Sequence, residues 1–139
     1  MAENVYEFSE CFASEKASMP KIEPVLCILK QKMNISDDRF YNLLIAVTEA
    51  FNNAIVHGNK LNPEKKVEVC IHADTQNIHI HIKDQGRGFN PDKVADPREP
   101  ENLLKDNGRG VFIIKSLLDE VSYDTGDQGT TIHMRFALG

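Results

Sequence analysis

The sequence has no tryptophan, and its three cysteines, Cys11, Cys27 and Cys70, stand far apart with no Cys-x-x-Cys pair. An odd, scattered set makes neither a disulfide framework nor a zinc ribbon, and a reducing cytoplasm is the expected compartment. Positive charge is not in excess either: 16 Lys and Arg against 21 Asp and Glu give a formal charge of −5. Binding along a phosphate backbone needs a basic face, so direct nucleic-acid recognition is not expected. Long apolar runs are also missing; Leu43 to Val47 and Val111 to Ile114 fall far short of the roughly 20 residues that cross a bilayer. Met1-Ala2-Glu3-Asn4 has no basic stretch of the kind that opens a signal peptide, so no membrane attachment is expected. With 8 Gly and 6 Pro in 139 residues, the composition is that of an ordinary globular protein. A single domain over 1–139 is long enough to bury a core without staples or metals.

Hydrophobic periodicity then sets the elements. Ile22, Val25, Leu26, Leu29 and Met33 predict a helix over 22–33. Phe40, Leu43, Leu44, Val47, Phe51, Ala54 and Ile55 predict a second, opened by Ser36 as N-cap and closed by Gly58-Asn59. The period changes to two where Val67, Val69 and Ile71 alternate with Glu68, Cys70 and His72, and where Ile78, Ile80 and Ile82 alternate with His79, His81 and Lys83. These runs form a hairpin around Asp74 to Asn77. The Pro-rich stretch between Asn90 and Pro100 reads as a loop, Val111 to Leu118 as a third helix, and strands follow near Val121 to Asp124 and over Ile132, Met134 and Phe136. Tyr6, Phe8 and Phe12 suggest one more strand at the start. Each strand has one apolar and one polar face, which describes a sheet covered by helices on one side and wet on the other. The expected class is α+β: a two-layer α/β sandwich, mostly antiparallel.

The second helix carries more than a core stripe. At about 100° per residue, Glu49, Asn53 and Asn42 lie opposite the stripe, yet Ile45, Ala46 and Val56 flank them. Such a face reads either as a solvated helix side or as the wall of a pocket. Glu49 and Asn53, four residues apart, project together. The carboxylate suits proton acceptance and the carboxamide oxygen suits a hard cation. In Asp84-Gln85-Gly86-Arg87-Gly88-Phe89, strand parity turns Asp84 toward the helix layer, where an unpaired carboxylate is costly. It calls for a donor, from the protein or from the amino group of a ligand base, and Gly86 and Gly88 allow close backbone approach. Asn107-Gly108-Arg109-Gly110 opens the third helix, where free amides and the dipole favour phosphate and Arg109 adds a cation. Neither glycine pair completes a Rossmann or P-loop motif.

The order of these boxes is more specific than any one of them. Thr48 to Gly58, Asp84 to Phe89, Asn107 to Val111 and Gly129-Thr130-Thr131 resemble the N-box, two glycine boxes and terminal motif of the anti-sigma factor serine/threonine protein kinases, within the GHKL superfamily and its Bergerat ATP-binding fold. The likeness runs from about Tyr6 to Phe136. It implies ATP and Mg²⁺ as cofactors, with Asn53 holding the metal, Asp84 accepting a hydrogen bond from the adenine amino group with Thr131 in support, and 90–107 forming an ATP lid. Gly86, Gly88, Gly108, Arg109 and Gly110 would line the nucleotide. Glu49 would be the catalytic base, deprotonating a serine or threonine hydroxyl of a STAS-type anti-anti-sigma protein. A sigma factor would be the sequestered partner, and the resemblance allows a homodimer. Arg109 departs from a position often apolar in the superfamily.

Two other readings share these boxes: a GHKL ATPase using water as acceptor, which is expected to need a following transducer domain, and a nucleotide-gated switch that transfers no phosphate. Retention of Glu49 argues against the switch. A stand-alone histidine kinase catalytic domain is not expected, because no stretch of the sequence reads as its phosphoacceptor helix pair. His79 and His81, with His72 beside them, form either a metal cluster or the solvated side of the sheet, and the solvated side is favoured because no carboxylate or cysteine completes a set. His57 either lines the pocket rim or ends its helix favourably for the dipole. Phe89 and Pro91 read as lid-hinge packing, and the acidic lid reads as a solvated loop from which Lys105 could reach a phosphate.

Overall fold

A computed structural model describes residues 5–86, 114, 117–126 and 128–138. The strands are β1 (Tyr6–Ala13), β2 (Lys66–Ala73), β3 (Asn77–Lys83), β4 (Glu120–Gly126) and β5 (Gly129–Ala137). They form one antiparallel sheet in the order β1-β2-β3-β5-β4. Helices α1 (Ile22–Met33) and α2 (Asp37–Asn52) cover one face, preceded by a 3₁₀ turn over Lys16–Lys21. The expected two-layer sandwich is therefore present. Of the expected third helix, Ile114 and Leu117 are helical and Ile114 is buried. Gly88, Phe89, Pro91, Lys105, Gly108, Arg109, Gly110 and the expected lid over 90–107 lie outside the described residues.

Alternation puts Val67, Val69 and Ile71 of β2, Ile78, Ile80 and Ile82 of β3, and Ile132, Met134 and Phe136 of β5 on one face. Against them pack Ile22, Leu26 and Leu29 of α1 and Leu43, Val47, Ala50 and Phe51 of α2, all buried. Burial of this apolar surface is the main favourable term in folding. Phe12 meets Phe51 edge to face, ring centroids 5.2 Å apart. Near the start of α2, Arg39 stacks on the Phe136 ring at 4.7 Å and donates to the Ala137 carbonyl, tying the helix to the end of β5. Ser36 occupies the N-cap position with extended dihedrals, but its side chain makes no capping bond. Asp37 and Asp38 supply negative charge to that first turn instead, and Asp37 pairs with Lys30 at 2.9 Å.

The other face of the sheet gathers imidazoles. His72 stacks on His79 and on His81, with centroids 4.8 and 5.2 Å apart, and His81 meets His133 edge on. His72 Nε2 lies 3.2 Å from His81 Nε2, and His81 Nδ1 contacts His133 Nδ1. Among the described residues no group of three or more His, Cys, Asp or Glu is arranged to hold a metal. Burial, and then the neighbouring His133, His72 and His79, push the His81 imidazole below its usual range. An unfolded chain therefore takes up this proton first. The stability linked to His81 is complete above roughly pH 6.5 and is lost as the pH falls through the folded-state value. The thermal midpoint should drop between pH 7.5 and pH 5.5, and by less in His81→Gln. Equal pH dependence in both proteins would remove His81 as the cause.

Candidate active site

The last two turns before β2 are not α-helical. Asn53–Gly58 forms a π-helical segment directly after α2, closed by the Asn59 amide bonding to the Ala54 carbonyl at 2.9 Å. Such widened turns are rare and concentrate at functional sites. Here the segment brings Gly58 against the end of β3. A Cβ on Gly58 would land on the Asp84 carboxylate, and one on Gly86 would land on the Gly58 carbonyl. Gly129 has φ +141, and a side chain there would meet the Asp84 carbonyl. Backbone from three segments thus closes around one carboxyl group.

Asp84 is 4% exposed. Its amide donates to the Thr130 carbonyl at 2.9 Å. Its Oδ1 accepts from the Gly86 amide at 3.0 Å and from the Thr130 amide at 3.1 Å. Both amide hydrogen bonds to the carboxylate from described residues fall on Oδ1, while Oδ2 lies against Gly58. Burial raises the Asp84 carboxyl above its usual range, opposed by the two amides and, more weakly, by the positive charge of Lys65. The carboxylate faces a cleft lined by Ala50, Asn53, Ala54, Ile82, Thr130 and Ile132. Thr130 is 3% exposed, and its Oγ1 is buried with no hydrogen-bond partner among the described residues. A larger concavity of about 480 Å³ lies at the β1–β2 edge, lined by Glu7, Ser9, Cys70 and His72, but it collects none of the boxes.

The structure brings Asn53 and Asp84 into one cleft, with Gly86 buried beside Gly58. Glu49 is partly buried one turn before Asn53, and is not among the residues lining the cleft. His57 is exposed in the last turn and Asn42 is exposed on α2. Thr131, expected to support the base, does not line this cleft. It pairs with Lys83 and Asp124 across the sheet and alternates to the open face, while Thr130 enters the cleft. Parity with Ile132 already carried that signal. Gly58 as the floor under Asp84, and His133 in the imidazole cluster, were also missed.

A family model for the histidine kinase-like ATPase domain matches residues 12–136. The chain belongs to that family. A serine-protein kinase, RsbW, of Bacillus licheniformis is 32% identical over 112 residues, covering 76% of this chain and 69% of the relative. The anti-sigma F factor of Bacillus subtilis is 28% identical over 133 residues, 92% of this chain and 87% of the relative. For the RsbW of Oceanobacillus iheyensis, the chain spans 61% of that relative's length at 30% identity. Among solved structures, the RsbU and RsbW domains of a Mycobacterium tuberculosis protein superpose with a TM-score of 0.71 at 15% identity, covering 96% of this chain and 32% of that one. The ATPase domain therefore sits in the branch whose curated relatives are anti-sigma factors and serine-protein kinases.

In this family setting Asp84→Asn is informative, because the asparagine keeps an oxygen for the two amides and loses the charge. The folded-state value is raised, so stability linked to this group is complete below the unfolded value and is lost as the pH rises through the folded one. At pH 7 the variant should melt at the same temperature or higher. Its affinity for ATP should fall about tenfold or more, the worth of one hydrogen bond to a charged acceptor. Calorimetry with and without nucleotide reads both, and unchanged affinity would move the base-binding site elsewhere.

Proposed function

We propose that this chain is an ATP-dependent protein serine/threonine kinase of the anti-sigma factor type, acting in the cytoplasm on a STAS-type anti-anti-sigma protein and holding a sigma factor. The observation that carries the reading is the buried Asp84 carboxylate, steadied through one oxygen and facing the cleft of a histidine kinase-like ATPase domain whose relatives are serine-protein kinases. In this reading the other oxygen accepts a hydrogen bond from the 6-amino group of adenine. The unpartnered Thr130 hydroxyl supports the same edge of the base, the role earlier expected of Thr131. Among the described residues no helix is long and apolar enough to cross a membrane.

Asn53 supplies the cleft with a neutral oxygen, the donor type a hard divalent cation takes alongside phosphate oxygens and water, so the site fits Mg²⁺. When bound, the ion would neutralise charge on the phosphates. Gly86 lets the backbone close around Asp84 at the base, and Gly88 is assigned to the nucleotide from its sequence alone. Gly108, Arg109 and Gly110 are assigned to the phosphates from their sequence alone. Glu49, one turn before Asn53, accepts the proton of the protein hydroxyl as its oxygen bonds to the γ-phosphorus. The bond from that phosphorus to the bridging oxygen breaks, and ADP leaves with the electron pair.

Glu49→Gln should retain ATP binding within about twofold and lose transfer by roughly 100-fold or more, the usual contribution of a positioned base. Label transfer from γ-labelled ATP to a small protein in a lysate of the source cells measures this, and equal labelling by wild type and variant would overturn the assignment. Asn53→Ala should bind ATP with little response to added Mg²⁺. A metal titration that matches wild type would place the cation elsewhere.

A further inference from the structure

Asn59 lies just past the π-helical segment and is 1% exposed, yet it does not line the cleft. Its side chain is fully used. Nδ2 donates to Ser14 Oγ at 2.8 Å and to the Lys66 carbonyl at 3.1 Å, while Oδ1 accepts from the Gln85 amide at 2.7 Å. Gln85 reciprocates by accepting from the Lys66 amide through its side-chain oxygen at 2.6 Å. Ser14 Oγ in turn donates to the Lys65 carbonyl at 2.7 Å. One carboxamide therefore joins the residue after β1, the start of β2 and the peptide that follows Asp84.

That last bond has a functional side. The Gln85 amide belongs to the peptide plane whose carbonyl is Asp84's own, so holding it sets the course of the chain from Asp84 to Gly86 and with it the place of the Gly86 amide, which bonds Asp84 Oδ1 and steadies the carboxylate. We propose that Asn59 is a positioning residue for base selection: through the Gln85 amide it keeps the Asp84 carboxylate in the one orientation that accepts from a 6-amino purine. The inference rests on reading Asp84 as the base acceptor. A 6-oxo purine offers a carbonyl lone pair to the same carboxylate, and the two repel. Discrimination then depends on the carboxylate being unable to turn away. A loosely held Asp84 would still bind ATP but would reject the 6-oxo base less.

The test is the ratio of dissociation constants for ITP and ATP in the full chain. Asn59→Ala should lower that ratio at least fivefold. Ser14→Ala removes a partner from the far side of Asn59 and leaves the Gln85 bond, so it should lower the melting temperature while keeping the wild-type ratio. A wild-type ratio in Asn59→Ala, or an equal loss in Ser14→Ala, would overturn the proposal. A second measurement needs no variant: the Gln85 amide of the unmodified protein should exchange slowly with solvent deuterium before nucleotide is added. Fast exchange that slows only with ATP would count against a preset carboxylate. The two readings fail separately. If Asp84→Asn leaves both constants unchanged, the base site is misassigned. If Asp84→Asn collapses the ratio and Asn59→Ala does not, only the role of Asn59 is wrong.

Discussion

A charged carboxylate under a helix layer is tolerable only if the fold supplies donors, and the rest of this site follows from how Asp84 obtains them. An ionised group taken out of water without partners is disfavoured by several kcal/mol or more. The Gly86 and Thr130 amides meet that need through a single oxygen. For both to reach it, the loop after β3 must fold back within two residues, and the start of β5 must lie beside the end of β3. The antiparallel register, with Lys83 opposite Thr131, delivers the second condition. Gly86, buried against Gly58, delivers the first.

The helix layer meets the same demand from above. α2 spends one face on the core through Leu43, Val47 and Phe51, and is tied to β5 at its other end by Arg39 on Phe136. The widening at Asn53–Gly58 then lowers the chain onto Asp84. Asn53 lines the cleft where α2 passes into the π-helical segment and Glu49 precedes it by one turn on α2, so the two groups proposed for metal and proton chemistry sit at the end of a well-anchored helix. Catalytic geometry is held best on such rigid elements.

Much of this was legible in the sequence, for reasons that differ by element. The hairpin of β2 and β3 and the inward turn of Asp84 follow from a period of two, which leaves no freedom once one face is buried. α1 matched its expected span because its apolar spacing and its end at Asn34, left-handed at φ 54, both mark the boundary. Thr130 was equally legible: it shares parity with Ile132 and Met134, but the motif reading chose its neighbour. The π-helical segment was not legible, because Asn53 to Gly58 continues a plausible α-helical pattern and only tertiary contact with Asp84 selects the wider turn. Asn59 was invisible for a similar reason. Its three side-chain partners lie 45, 7 and 26 residues away, and no local signal encodes such a junction. Ser36 marked the helix start correctly through its backbone, although its hydroxyl does not cap.

With no side chain at Gly86 and Gly129, the chain around Asp84 and the loop after β3 meet the backbones of Gly58 and Gly129 directly, while the space at Gly58 is taken by the Asp84 carboxylate. Side chains act as springs in most protein interiors; here the main chain itself is the bearing surface. A push on the loop after β3 is therefore passed undamped to the foot of the helix and to the first residues of β5. The floor of the cleft is thus a junction where the foot of the helix, the loop after β3 and the first residues of β5 share one set of main-chain contacts.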